Sequence, residues 1–240
     1  MTPAPIPAPV PERYRGVWAR TLLETPAGRD TTTYVRWLQT DRWHADLRIP
    51  QAPPSLAPAL AEGSGADDPA LQQGFCGITT VEQRDGREVC TWHRQFDFQP
   101  PGLTPDAGYI EFDGSERLIE TGVHGDYLEI WDRLPGSAGP VGMWDTADAD
   151  GQPCRILRAG AYAMRVRPRA MVWPADVRAG ETLAEVVRRY MSDRAALLDF
   201  EISFGPLRET TAGLRWQIER STLAGLVGSE GPLADLTVAA

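Results

Sequence analysis

Residues 75–98 read FCGITTVEQRDGREVCTWHRQFDF. Two runs rich in β-branched and aromatic residues flank Asp85-Gly86, a dipeptide suited to a two-residue hairpin turn. Pairing outward from that turn sets Val81 opposite Cys90, Thr79 opposite Trp92, Gly77 opposite Arg94 and Cys76 opposite Gln95. Strand side chains alternate between faces. Phe75, Gly77, Thr79 and Val81 therefore share a face with Cys90, Trp92, Arg94, Phe96 and Phe98. Arg94 falls on an apolar face, where a charge is either paired or awaits an anionic ligand. Cys76 and Cys90 fall on opposite faces and cannot bridge.

The pattern recurs on both sides of this hairpin. Upstream, 31–39 and 42–49 read as strands joined by a break at Thr40-Asp41. Pairing across it puts Leu38 by Trp43, Arg36 by Ala45 and Tyr34 by Leu47. That reading turns Arg36 inward and turns His44 and His93 outward, opposite to Trp43 and Trp92. Downstream, 108–112 and 116–121 form a third hairpin. A three-residue turn, Asp113-Gly114-Ser115, sets Glu111 against Arg117, Ile110 against Leu118 and Glu120 against Gly108, whereas a two-residue turn opposes Glu111 and Glu116. The chain then returns through 126–134, with Glu120 facing Tyr127, and with Glu129, Trp131 and Arg133 on the same side.

The remainder adds a first strand at 14–24 and short strands at 141–144, 155–158, 162–167, 200–204 and 213–222. One late helix spans about 183–198, opened by a capping box of Thr182 and Glu185 and striped by Leu183, Val186, Val187, Tyr190 and Met191. Residues 50–73 form a long Pro/Ala/Gly loop with room for one helical turn at 55–61. Many short strands, hairpin turns and no strand–helix alternation indicate an all-β, mainly antiparallel barrel, as one barrel or two barrel-like halves. Residues 1–11 read as a flexible Pro-rich tail and 12–134 as the barrel core. Residues 135–240 supply strands and the helix, which either complete the barrel or form a second half.

Composition narrows the function classes. The chain has 240 residues, 42% hydrophobic, with a net charge of −9. That acidity argues against nucleic-acid binding and against an anionic membrane surface. All 24 basic residues are arginine, which removes a P-loop lysine and a Schiff-base lysine from consideration. Three cysteines at irregular spacing make neither a disulfide framework nor a zinc motif, and no metal or other cofactor is expected. Neither a signal-peptide pattern nor an apolar membrane-spanning stretch is present, so a cytoplasmic location is expected.

Arg15-Gly16-Val17-Trp18 resembles the Gly-x-Trp signature of the lipocalins and related calycin barrels. The resemblance implies that Trp18 closes one barrel end beneath an arginine from elsewhere. The segments Tyr34–Gln39, Ala45–Pro50, Trp92–Gln95 and Asp97–Pro100 are similar to a bacterial and fungal family of lipocalin-like proteins of unassigned function. That similarity covers about residues 12–134 and extends more weakly to 222. It implies a calycin-type fold and no established activity or cofactor.

The chemistry expected follows from the inward positions. Arg36 and Arg94 can clamp a carboxylate or phosphate bidentately, with Glu120, Tyr127 and Glu129 beside them and Trp43, Trp92, Trp131 as apolar walls. The plainer alternative pairs both arginines with Glu120 and Glu129, for register alone. The expected activity is binding of a small hydrophobic or amphipathic molecule within the barrel, with a homodimer left open. Two alternatives stand beside it: a barrel enzyme using Glu120, Glu129 or the loop histidine His124 as acid/base groups, and a filled barrel serving as a protein-interaction module.

Overall fold

The computed structural model describes residues 7–51, 68–211 and 213–231. The first nine strands are β1 (Gly16–Thr25), β2 (Gly28–Asp30), β3 (Tyr34–Gln39), β4 (Trp43–Ile49), β5 (Gln73–Arg84), β6 (Arg87–Asp97), β7 (Asp106–Asp113), β8 (Arg117–Gly122) and β9 (Leu128–Arg133). They pair antiparallel in one sheet that closes where β1 meets β9, so β1 and β3–β9 form an eight-stranded barrel with β2 as a flap on β1. Closure leaves those strands no free edge.

The second set is β10 (Val141–Ala147), β11 (Pro153–Ala159), β12 (Tyr162–Arg167), β13 (Glu201–Thr210), β14 (Gly213–Gln217), β15 (Arg220–Ser221) and β16 (Glu230–Gly231). They form a separate antiparallel sheet laid on the outside of the barrel. Among the described residues, the 135–240 segment adds no strand to the closed barrel and builds this second sheet instead. Leu157, Met164, Val166, Ile202 and Phe204 from this sheet pack on Val17, Leu38, Ala45 and Leu47 from the barrel's outer face. Each such fully buried side chain contributes about 1.5–3 kcal/mol. The barrel interior holds a different cluster, including Trp18, Val35, Trp37, Phe75, Cys90, Trp92 and Trp131.

Because β3 and β4 are buried on both faces, their apolar alternation does not mark the interior. Residues of the parity of Trp37 point in, and those of Leu38, Ala45 and Leu47 point to the second sheet. This reverses the expected orientation of Arg36 and Trp43, which lie outside, and of His44, which is buried inside. The β3–β4 register is also two residues longer, with Arg36 opposite Leu47 and Leu38 opposite Ala45.

The Asp85-Gly86 turn forms with the expected pairs out to Gly77–Arg94. A bulge follows: Cys76 pairs Phe96, and Gln95 is the extra residue. A Cβ at Gly77 would lie 1.9 Å from the His93 carbonyl oxygen, so the bulge requires glycine there. Past the bulge the faces exchange, and Phe96 and Phe98 turn to the outer core while Arg94 stays inward. The third hairpin also shifts by two residues, to Asp113 opposite Arg117 and Ile110 opposite Glu120.

The late helix is broken. α1 (Leu183–Arg189) starts with the Thr182–Glu185 capping box, and α2 (Arg194–Leu198) follows a turn at Tyr190. The turn leaves Met191 exposed and lets Leu197 reach the core. Residues 7–11 are docked rather than a free tail: Val10 is buried and its N–H donates to the Asp41 carbonyl. Residues 1–6 of the expected tail, and the helical turn expected at 55–61, lie outside the described residues. Trp18 is fully buried with the Arg133 guanidinium 4.2 Å from its ring. Arg133 also donates to the Arg13, Arg15 and Ser115 carbonyls. Trp18 thus packs beneath an arginine from elsewhere in the chain.

Candidate functional site

The barrel interior is packed with aromatic rings. Trp37 meets Trp92 and Trp131 edge-on at 5.3 and 5.8 Å between centroids. The space left among Trp37, Phe75, Trp92, Trp131, Asp46, Arg48, Asp106 and Glu120 is about 10 Å³, no more than one water needs. Among the described residues, this space does not have the room that the expected enclosed ligand requires.

Besides Glu120, three sets of paired polar groups lie inside the barrel, while His44 Nε2 and Trp131 Nε1 are buried without a hydrogen-bond partner among the described residues. Arg20 donates to Glu129 at 2.7 Å and to Asp30 at 3.0 Å, with all three side chains nearly inaccessible. Arg48 donates to Asp46 at 2.6 Å. His44 Nδ1 lies 3.0 Å from Thr79 Oγ1, which donates to Gln39 Oε1. Burial holds the His44 imidazole well below its ordinary value, with neighbouring Arg94 and His93 acting in the same direction. The sequence reading missed Arg20, although it alternates in step with Trp18, and it missed Asp46 and Arg48 because it assigned their face to solvent.

Glu120 and Glu129 stand directly opposite each other on β8 and β9. Only Glu129 has an arginine partner among the described residues. Glu120 is 3% exposed and accepts from the Tyr127 hydroxyl at 2.7 Å. Its carboxyl lies over Gly108, where a Cβ would be 2.6 Å from Glu120 Cγ. Burial, then the charge of Glu129, raises the Glu120 carboxyl well above the usual carboxylate range; the Tyr127 hydrogen bond opposes this in part. A folded-state value above the unfolded one means the folded chain binds the proton more tightly. The associated stability is complete below about pH 4.3 and is lost as pH rises through the raised value. Glu120→Gln, which keeps an acceptor for Tyr127 and has no proton to lose, is expected to gain about 1–3 kcal/mol over the parent at neutral to alkaline pH, and little at pH 4. Urea midpoints across pH measure this; a gain independent of pH counts against it.

Above this floor the barrel mouth opens into a cleft of about 710 Å³. β6 supplies Trp92 and Arg94, and the start of β7 supplies Asp106, which pairs with Trp92 across the ladder. The 98–105 loop contributes Gln99 and Leu103, the β8–β9 connection contributes His124 and Tyr127, and Trp173 closes one side. Arg94 is held rigidly. Its Nε and Nη2 donate to Asp106 Oδ2 at 3.2 and 2.7 Å, its Nη1 donates to Asp97 Oδ2 at 2.9 Å, and its guanidinium lies 3.7 Å from the Phe75 ring. Burial raises the Asp97 carboxyl in spite of Arg94.

The eight residues expected to form one site are thus divided. Trp92, Arg94 and Tyr127 line the cleft. Glu120, Glu129 and Trp131 lie beneath it, inside the barrel. Arg36 is elsewhere: it donates to its neighbour's carbonyl at Val35 and stacks on Tyr34 at 4.1 Å, between barrel and second sheet. Trp43 is on that side too, under Arg155 of β11 at 4.0 Å. The partners of Arg94 are Asp97 and Asp106, not the expected glutamates. Asp97 sits past the bulge, and Asp106 is reached only once β6 and β7 pair. Trp173 is brought to the cleft by a connection from the other sheet, for which the local sequence carries no signal. Among the described residues no three His, Cys, Asp or Glu side chains converge to hold a metal ion, and no helix is long and apolar enough to cross a membrane.

No family model matches the chain, and no curated protein matches it. Among solved structures, it is similar to the crystal structure of an uncharacterized protein from Saccharomyces cerevisiae. The two share 12% sequence identity over 82% of each chain, with a TM-score of 0.48.

Proposed function

We propose that this protein is a calycin-like binding protein that takes a small amphipathic molecule at the barrel mouth rather than within the barrel. The observation that carries this reading is the contrast between a lumen with about 10 Å³ of space and a cleft of about 710 Å³ directly above it. Ligand pockets commonly fall between about 300 and 1,000 Å³. Trp92 and Tyr127 offer flat apolar surface, Arg94 and its aspartates offer fixed polar atoms, and Glu120 positions Tyr127 from below. The buried Trp18 beneath Arg133 supports the calycin reading. Three unbonded cysteines are compatible with a reducing, cytoplasmic setting.

The test is native mass spectrometry of protein purified from its own host, followed by titration of fatty acids, haem and hydrophobic dyes. Gly102 lines the cleft, and a Cβ there would make only an ordinary contact, 3.6 Å from the Thr104 carbonyl oxygen. Gly102→Trp is expected to weaken any ligand by about tenfold or more, equivalent to 1.4 kcal/mol, and Arg36→Ala to leave it unchanged. A protein that arrives bare and takes up none of these compounds overturns the reading. A second reading is favoured by the solid interior together with Leu103 and Val172, 80% and 85% exposed: a filled barrel whose mouth loops dock another protein.

A further inference from the structure

The hydrogen bonds at the cleft floor bear on the charge of the ligand. An arginine on an apolar face suggests an anion clamp, and Arg94 cannot serve as one. Its guanidinium already faces two carboxylates and one aromatic ring. An incoming carboxylate or phosphate would have to settle beside Asp97 and Asp106. Histidines aside, the charged side chains lining the cleft are one arginine and two aspartates, a surplus of negative charge. Arg169 stands nearby but does not line the cleft; it stacks behind Trp173 at 4.1 Å and donates to the Phe98 and Leu197 carbonyls.

Asp106 has capacity to spare. Both bonds from Arg94 fall on Oδ2, Oδ1 has no hydrogen bond to a described residue, and the side chain is 25% exposed. Trp92, Tyr127 and Trp173 line the same cleft, and aromatic ring surface attracts cations through the ring quadrupole. A chain carrying −9 overall adds a long-range field of the same sign.

Resting on the cleft reading above, we propose that the cleft selects a ligand with a cationic head, an organic ammonium group on an apolar or aromatic body. Asp106 receives the head, and Trp92, Tyr127 and Trp173 wall it.

Phenylbutylamine, phenylpentanoate and phenylbutanol share one body and differ in charge. Titrated calorimetrically at low salt, the ammonium probe is expected to bind about tenfold or more tightly than either of the others. That preference should shrink at about 1 M salt, where the Debye length is ~3 Å. It should also fall in Asp106→Asn, with folding checked by circular dichroism; the salt series on the parent chain supplies the answer if that variant does not fold. Equal or tighter binding of phenylpentanoate or phenylbutanol overturns the cationic assignment and leaves the cleft reading intact. A preference that survives both high salt and a folded Asp106→Asn overturns the role of Asp106. Failure of all three probes to bind overturns the assignment together with the cleft reading for ligands of this size.

Discussion

Replacing Trp37 by alanine is expected to lower the unfolding free energy by about 3–5 kcal/mol. Trp37 is 1% exposed at the centre of the barrel. It packs against Trp18, Trp92 and Trp131, and its Nε1 donates to Gln39 Oε1 at 3.1 Å. Truncation opens a cavity that closed strands cannot collapse around, and it leaves one acceptor of a buried network short of a donor. Urea denaturation measures the change. Trp43→Ala removes a ring of the same size from the barrel's half-buried outer face and is expected to cost distinctly less. Equal losses at the two positions would mean that the interior is not the tightly filled core described above.

Arg20→Ala is expected to be of similar size, about 3–5 kcal/mol, for a different reason. The guanidinium holds Glu129 and Asp30 together out of water. Without it Glu129 is left buried, unpaired and opposite Glu120. Asp30 is less affected, because it also accepts from the Thr32 and Thr33 backbone N–H groups. Removing both charges of the main pair, as in Arg20→Met with Glu129→Leu, should recover much of the loss, since a buried ion pair contributes less than breaking it costs. A double variant no more stable than Arg20→Ala would argue that the pair itself, rather than the orphaned charge, is what the fold needs.

How much of this could be read from the chain varies with how locally it is decided. The Asp85-Gly86 turn and its first pairs were legible because two residues set the turn geometry. The inward position of Arg94 followed from that register. The Gln95 bulge did not, although Gly77 inside a strand is the kind of residue that marks one. Arg36 was misplaced for a clear reason. In β3 and β4 both faces are buried, the outer one carrying Leu38, Ala45 and Leu47 and the inner face of β4 carrying His44 and Asp46, and alternation separates inside from outside only when one face meets water. The two-residue register shifts in the first and third hairpins preserved the face of each side chain, so Glu120 and Glu129 came out inside as expected, with different cross-strand neighbours.

The sequence by itself determined most of the strands, their hairpin order, the antiparallel all-β class and the helix start at Thr182, because each rests on periodicity or on residues close in the chain. Only the tertiary structure decided which face of β3 and β4 is the interior, that the second sheet covers the first rather than extending it, and that Arg94 is committed to Asp97 and Asp106. Those outcomes depend on which surfaces meet when distant strands close and stack. Net burial and pairing of charge are properties of that assembly, not of any one segment.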